Sequence, residues 1–159
     1  FPFYLSGGNS DYWKELPLDA IKSYVEKSPD IDLILTSYDL DPKFMNKYNV
    51  KKINSIGSIS NSRYSDDDIW YSSFGRKKPK IDLVCQIAKK LDVDLVIMGM
   101  VKIQPMDPPN GSVAMFLIDV AANRSHNSSG STSEFDGNGY NLSMKKIKSV
   151  FKSYRKYKR

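Results

Sequence analysis

Cysteine and histidine are almost missing from this 159-residue chain, which holds one of each, Cys85 and His126. A single cysteine excludes an internal disulfide and any cysteine-based zinc site. Cys85 falls on an apolar helical face and reads as a small buried hydrophobe. His126 stands among Ser and Asn, with no Cys, His or paired carboxylate at ligand spacing, so it reads as a surface residue and not as a metal ligand. Long apolar runs are missing too. The longest, Leu95 to Val101, is far too short to span a bilayer. No nucleophile stands beside a base, and no general acid–base pair is apparent. These gaps point away from catalysis, and no catalytic residue, metal or cofactor is expected. The chain begins at Phe1 with no charged or apolar leader before it, as expected of a mature or trimmed chain whose targeting signal has been removed.

What is present suits one domain with a real core, since 40% of the 159 residues are hydrophobic. Charge is unevenly spread. From Met144 onward there are eight Lys or Arg and no acid, whereas residues 1–143 hold 16 basic and 18 acidic residues. The formal net charge of +6 therefore belongs to the end of the chain, unlike a uniformly basic nucleic-acid surface. In the same stretch Met144, Ile147, Val150, Phe151 and Tyr154 recur at helical spacing. The pattern predicts a helix with one apolar stripe and an opposite basic face. Lys145, Lys148, Lys152, Arg155 and Lys156 are the candidate binding residues on that face. Anionic lipid headgroups attract such residues by about 1 kcal/mol each, and RNA is a further polyanion to consider. The bland alternative is that the stripe covers a sheet and the lysines are a solvated face.

Upstream, Phe1 to Leu5 reads as a buried strand leaving into a Ser6-Gly7-Gly8-Asn9 loop. Pro17 suits a first helical turn, with Leu18, Ile21, Tyr24 and Val25 following at helical spacing. Ser28-Pro29-Asp30 stops that helix, and Ile31 to Tyr38 reads as a second strand, which makes a β-α-β unit. Pro42 to Tyr48 suits a short helix. Residues 51–79 read as an irregular insertion in which Ile69 to Phe74 pack against the core and Ser58 to Asp68 stay mobile. Ile81, Val84, Cys85, Ala88 and Leu91 then mark a helical face. Leu95 to Ile103 is a central strand, Pro105 to Gly111 a turn, and Ser112 to Val120 its antiparallel partner. Ala121-Ala122-Asn123 turns again into a polar edge strand, Arg124 to Phe135, whose exposed edge offers a partner a place for strand addition. The fold class is α/β: a mixed sheet from a β-α-β unit, then a helix, antiparallel hairpin strands and a C-terminal helix.

Ser6-Gly7-Gly8-Asn9-Ser10-Asp11 looks like the phosphate loop of ATP pyrophosphatases, where backbone N–H groups hold phosphate. Against it stand the order Asn-Ser-Asp, the bulk of Tyr12 and Trp13, and a helix expected to start only near Pro17. Asp66-Asp67-Asp68 lacks the alternation, the glycine and the closing Glu of a calcium loop. Asp94 and Asp119 lie at strand ends, where such side chains usually bond to turn backbone. Four Asn-x-Ser sequons, two of them at Asn110 and Asn123, would matter only in a eukaryotic secretory setting.

The order of elements, with Ile87-Ala88-Lys89-Lys90-Leu91, Asp92-Val93-Asp94, Met98-Gly99-Met100-Val101 and Leu117-Ile118-Asp119-Val120, resembles the TolB amino-terminal-like family of bacterial envelope proteins. At the front, Phe1-Pro2-Phe3, Ser6-Gly7-Gly8 and Tyr12-Trp13 are similar to that family's Pro-Phe strand and small-residue loop. The longer polar middle segment and the lack of tryptophan in residues 124–135 depart from its pattern. The resemblance implies a non-catalytic, periplasmic or envelope-associated module with a protein partner. An anionic membrane surface reached through the basic helix, or a nucleotide held by the Ser6–Asn9 loop, are the alternatives, and nucleic acid is disfavoured as a partner.

Overall fold

A computed structural model describes residues 4–7, 12–31, 70–73, 76–90 and 92–159. In chain order these form β1 (Tyr4–Ser6), α1 (Tyr12–Glu26), β2 (Trp70–Ser73), β3 (Arg76–Pro79), α2 (Ile81–Lys90), β4 (Leu95–Gln104), β5 (Asn110–Asp119), β6 (Arg124–Thr132) and α3 (Phe135–Lys158). Two sheets result, one of order β1-β4-β5-β6 and one pairing β2 with β3. β1 runs parallel to β4, with Tyr4 opposite Met100 and Ser6 opposite Lys102. The short connections 105–109 and 120–123 leave room only for antiparallel returns between β4, β5 and β6. The chain is thus of the mixed α/β class, with the central β4, the hairpin strands and the C-terminal helix in the order that the residue pattern predicts. The expected strand at Ile31–Tyr38 and helix at Pro42–Tyr48 lie outside the described residues, apart from Ile31, and so do Ser58 to Asp68.

Contacts gather into two compact units, one of residues 1–2, 36–96 and 118–125, the other of residues 3–35, 97–117 and 126–159. In the first, α2 buries Val84, Cys85, Ile87 and Ala88, each of which leaves water almost completely. The helix ends where Asp92 takes a left-handed conformation (φ 53°) and the Val93 N–H donates to the Ala88 carbonyl at 3.2 Å. Asp119 accepts the Ala122 N–H at 3.0 Å, so the turn after β5 is held by a strand-end carboxylate, as its position suggests. Asn123 (φ 49°) then donates through Nδ2 to Asp82 Oδ1 at 2.6 Å, tying that turn to α2. The second part of the expected irregular insertion is an antiparallel hairpin, Trp70 facing Pro79 and Ser73 facing Arg76. Trp70 is 1% exposed, as expected of the segment Ile69 to Phe74, whereas Tyr71 is exposed; Ile69 and Phe74 lie outside the described residues.

In the second unit the core collects Ala20, Ile21 and Val25 of α1, Met98, Val101 and Ile103 of β4, Val113, Met115 and Leu117 of β5, and Phe135, Ile147, Val150 and Phe151 of α3. Each large side chain so buried contributes roughly 1.5–3 kcal/mol. α1 begins at Tyr12, not near Pro17, and Pro17 is buried inside it. Pro17 lacks the N–H that would reach the Trp13 carbonyl. Packing against α3 offsets that loss: Tyr24 stacks on Phe151 (4.8 Å between centroids), and Trp13 sets its edge against Phe135 (6.0 Å). Ser28 closes α1, donating its N–H to the Val25 carbonyl and its hydroxyl to that of Tyr24.

Asn110 and Gly111 belong to β5 and not to the turn before it. Their turn-like chemistry misleads because Gly111 serves packing: a methyl there would overlap the Phe135 ring. Gly111→Ala is expected to cost about 1–3 kcal/mol through overpacking, read as a lower midpoint in urea with an unchanged slope. In the first unit, burial pushes the Cys85 thiol above its ordinary value of 9.0, Lys89 opposing and Asp82 and Asp119 adding to the rise. The unfolded chain therefore loses this proton first, so the thiol weakens stability only as pH climbs above that ordinary value. Ellman's reagent at pH 8 should react with Cys85 only as fast as the protein opens.

Candidate interaction surface on the C-terminal helix

α3 is nine residues longer at its start than its apolar stripe predicts, beginning at Phe135 and not at Met144. Residues 137–143 contain two glycines and two asparagines, each poor in a helix interior, a glycine by about 1 kcal/mol. Tertiary contacts overrule that preference. A Cβ on Gly139 would lie 2.9 Å from Leu16 Cδ1 and 3.0 Å from Phe135 Cε1, so the glycine permits the close approach of α1 and α3. Ser143, fully buried, satisfies its hydroxyl by donating to the Gly139 carbonyl at 2.7 Å. The Phe135 N–H donates to the Pro109 carbonyl at 2.7 Å, which fixes where the helix starts. Glu134 before it is left-handed (φ 50°) and gives no side-chain cap.

From that fixed start the helical period decides where the cations point. Ile147, Val150 and Phe151 are buried, with Met144 and Tyr154 half-buried beside them. Lys145, Lys148, Lys152, Arg155 and Lys156 are all exposed. At 3.6 residues per turn these five fall within an arc of roughly 100° opposite the buried stripe. The structure thus brings all five candidate residues onto one face. No Asp or Glu occurs after Asp136, so the chain offers this face no neighbouring carboxylate on its own helix. The Arg155 guanidinium lies 6.0 Å from the Phe151 ring centre and the Lys158 ammonium 5.7 Å from that of Tyr154, contacts that keep the stems along the helix. Like charges three and four residues apart each cost about 0.2–0.5 kcal/mol. Arg155, Lys156 and Lys158 in the last turn recover part of this from the helix dipole.

His126 is not a surface residue: it is 6% exposed on the face of β6 that lies under α3. Its Nδ1 is 3.1 Å from Ser153 Oγ, and its ring meets those of Tyr154 and Tyr157 at 5.8 and 5.4 Å. The missed signal is the strand's alternation, which puts His126 on the same face as Gly130, where the Lys146 side chain lies. β6 is an edge strand among the described residues, but it ends at Thr132, since Phe135 opens the helix. Of the Ser6–Asn9 loop only Ser6 and Gly7 are described, and Asp66 to Asp68 lie outside the described residues. The start of α1 at Tyr12 removes the objection that the helix begins too late to face that loop. Among the described residues no group of three or more His, Cys, Asp or Glu could hold a metal ion, and no helix is long and apolar enough to cross a membrane. No protein-family model, curated protein or solved structure matches the chain.

Ile147→Ala is expected to cost about 2–5 kcal/mol by opening a cavity, whereas Lys152→Glu should stay within about 0.5 kcal/mol of the parent. Paired urea titrations check the contrast. Equal losses would mean that the basic face is held in structural contacts.

Proposed function

We propose that this chain is a non-catalytic interaction domain that docks an acidic protein partner on the basic face of α3. The observation that supports this reading most is the gathering of Lys145, Lys148, Lys152, Arg155 and Lys156 on one exposed arc without a carboxylate on the helix after Asp136. Such clustering costs stability through like-charge repulsion, which the helix dipole and the contact of Arg155 with Phe151 offset only in part. A partner bearing the opposite potential would convert that cost into faster encounter and correct register. The bacterial cell envelope is the setting that the resemblance to TolB amino-terminal-like domains favours, and the reading rests on the helix whether or not that setting holds.

The double reversal Lys152→Glu with Lys156→Glu leaves the buried stripe untouched. Capture from native envelope extract should recover an acidic protein with the parent chain, and the reversed chain should retain it at least tenfold less. Retention by the parent should also fall between about 50 and 200 mM salt. Recovery of anionic lipid or nucleic acid alone would sink the protein-partner reading, and a partner kept equally by the reversed chain would move the docking surface elsewhere.

A further inference from the structure

On the face of the sheet turned away from α3, half-buried apolar residues (Met100, Ala114) give way towards the β4–β5 turn to polar ones. There a cleft of about 470 Å³ opens, walled by Lys102 and Gln104 of β4, Asn110 and Ser112 of β5, and Ser131 and Ser133 at the end of β6. Its size is within the range of small-molecule sites, but such sites are mostly apolar, and this one is not. Every side chain named carries a hydrogen-bond donor, and neither a carboxylate nor an aromatic ring lines the cleft. Among the described residues no carboxylate pairs with Lys102, which leaves its ammonium as the charge of the site. Asp136, three residues beyond Ser133, accepts the N–H of its own neighbour Gly137 at 3.0 Å, and neither it nor Glu134 nor Asp107 lines the cleft.

We infer that this cleft binds a small hydroxylated oxyanion, of the class of a phosphorylated sugar, with the anionic group on Lys102 and the hydroxyls on the amides and serines. One point charge fixes the oxyanion, whose oxygens only accept. Gln104 and Asn110 each offer two N–H donors and a carbonyl acceptor, and the serine hydroxyls do both, which is what a ring of alcohol groups requires. An uncharged ligand would gain nothing from the exposed ammonium, a cationic one would be repelled by it, and an apolar ligand would strip water from six polar side chains without replacing its hydrogen bonds.

Glucose 6-phosphate, glucose and inorganic phosphate are the probes, titrated into the whole chain while backbone amide resonances are followed by NMR. Glucose 6-phosphate at millimolar concentration should shift the amides of Lys102, Gly111, Ser112 and Ser131–Ser133, and Lys102→Met should weaken it at least tenfold. The shifts should survive the Lys152→Glu, Lys156→Glu reversal, which separates this site from the basic helix. The inference is overturned if shifts stay absent at about 10 mM, a concentration that reveals even weak sites. It is also overturned if they centre on residues 148–156 and vanish with the reversal, if they centre on Ser6–Asn9, or if inorganic phosphate binds as tightly as the sugar phosphate.

Discussion

Phe135 holds the second unit together, because four separate contacts converge on it. Its N–H is donated to the carbonyl of Pro109, its ring lies over Gly111 and against Gly139, and the edge of Trp13 meets it from α1. Strand β5, helix α1 and helix α3 are thereby fixed to one fully buried side chain. Once the first residue of α3 is placed, its rotation about its own axis has no freedom left, since a buried stripe at helical spacing can face inward in only one way. The direction of the five basic residues follows from that placement. Two glycines make the arrangement affordable: any side chain at 111 or 139 would push Phe135 away.

That dependence explains how a helix with unfavourable local features persists. Its first third is poor in helix formers, its N-terminus lacks a side-chain cap, and its last two-thirds repel themselves electrostatically. A glycine there costs about 1 kcal/mol, a missing cap about 0.5–2 kcal/mol and each like-charge pair about 0.2–0.5 kcal/mol. Burial of Phe135, Ile147, Val150 and Phe151, at roughly 1.5–3 kcal/mol each, opposes these losses. Packing therefore sets the helix, and the surface residues are left free to serve something other than stability.

The same hierarchy decides what could be read from the residues alone. Where periodicity and propensity agree with packing, as in Leu95 to Ile103, Ser112 to Val120 and Met144 to Tyr154, the elements and the basic face were legible. Where packing overrides local preference, they were not. Pro17 inside α1 and the Gly–Asn stretch at 137–141 look like boundaries until α1 and α3 are seen to need close approach. Asn110-Gly111 looks like a turn because the ring that requires a glycine comes twenty-four residues later. His126 looks exposed because its polar neighbours conceal a strand whose alternate residues lie under tyrosines of a helix. The cleft around Lys102 joins three strands, and no local pattern signals it.

The two surfaces of this unit differ in the range over which they act. Mobile ions screen a charge beyond about 8 Å at physiological ionic strength. A single ammonium at Lys102 is therefore felt only by a ligand already at the cleft, where short hydrogen bonds to amides and hydroxyls decide what stays. Five cations along three turns of α3 act as a group, and their summed potential extends far enough to orient a large anionic partner before contact. Added salt weakens the second kind of recognition steeply, because every neutralised cation contributes, and the first kind only slightly. On the two proposals, a large anionic partner suits the helix and a small oxyanion the cleft, and one unit of the fold would hold both without competition between them.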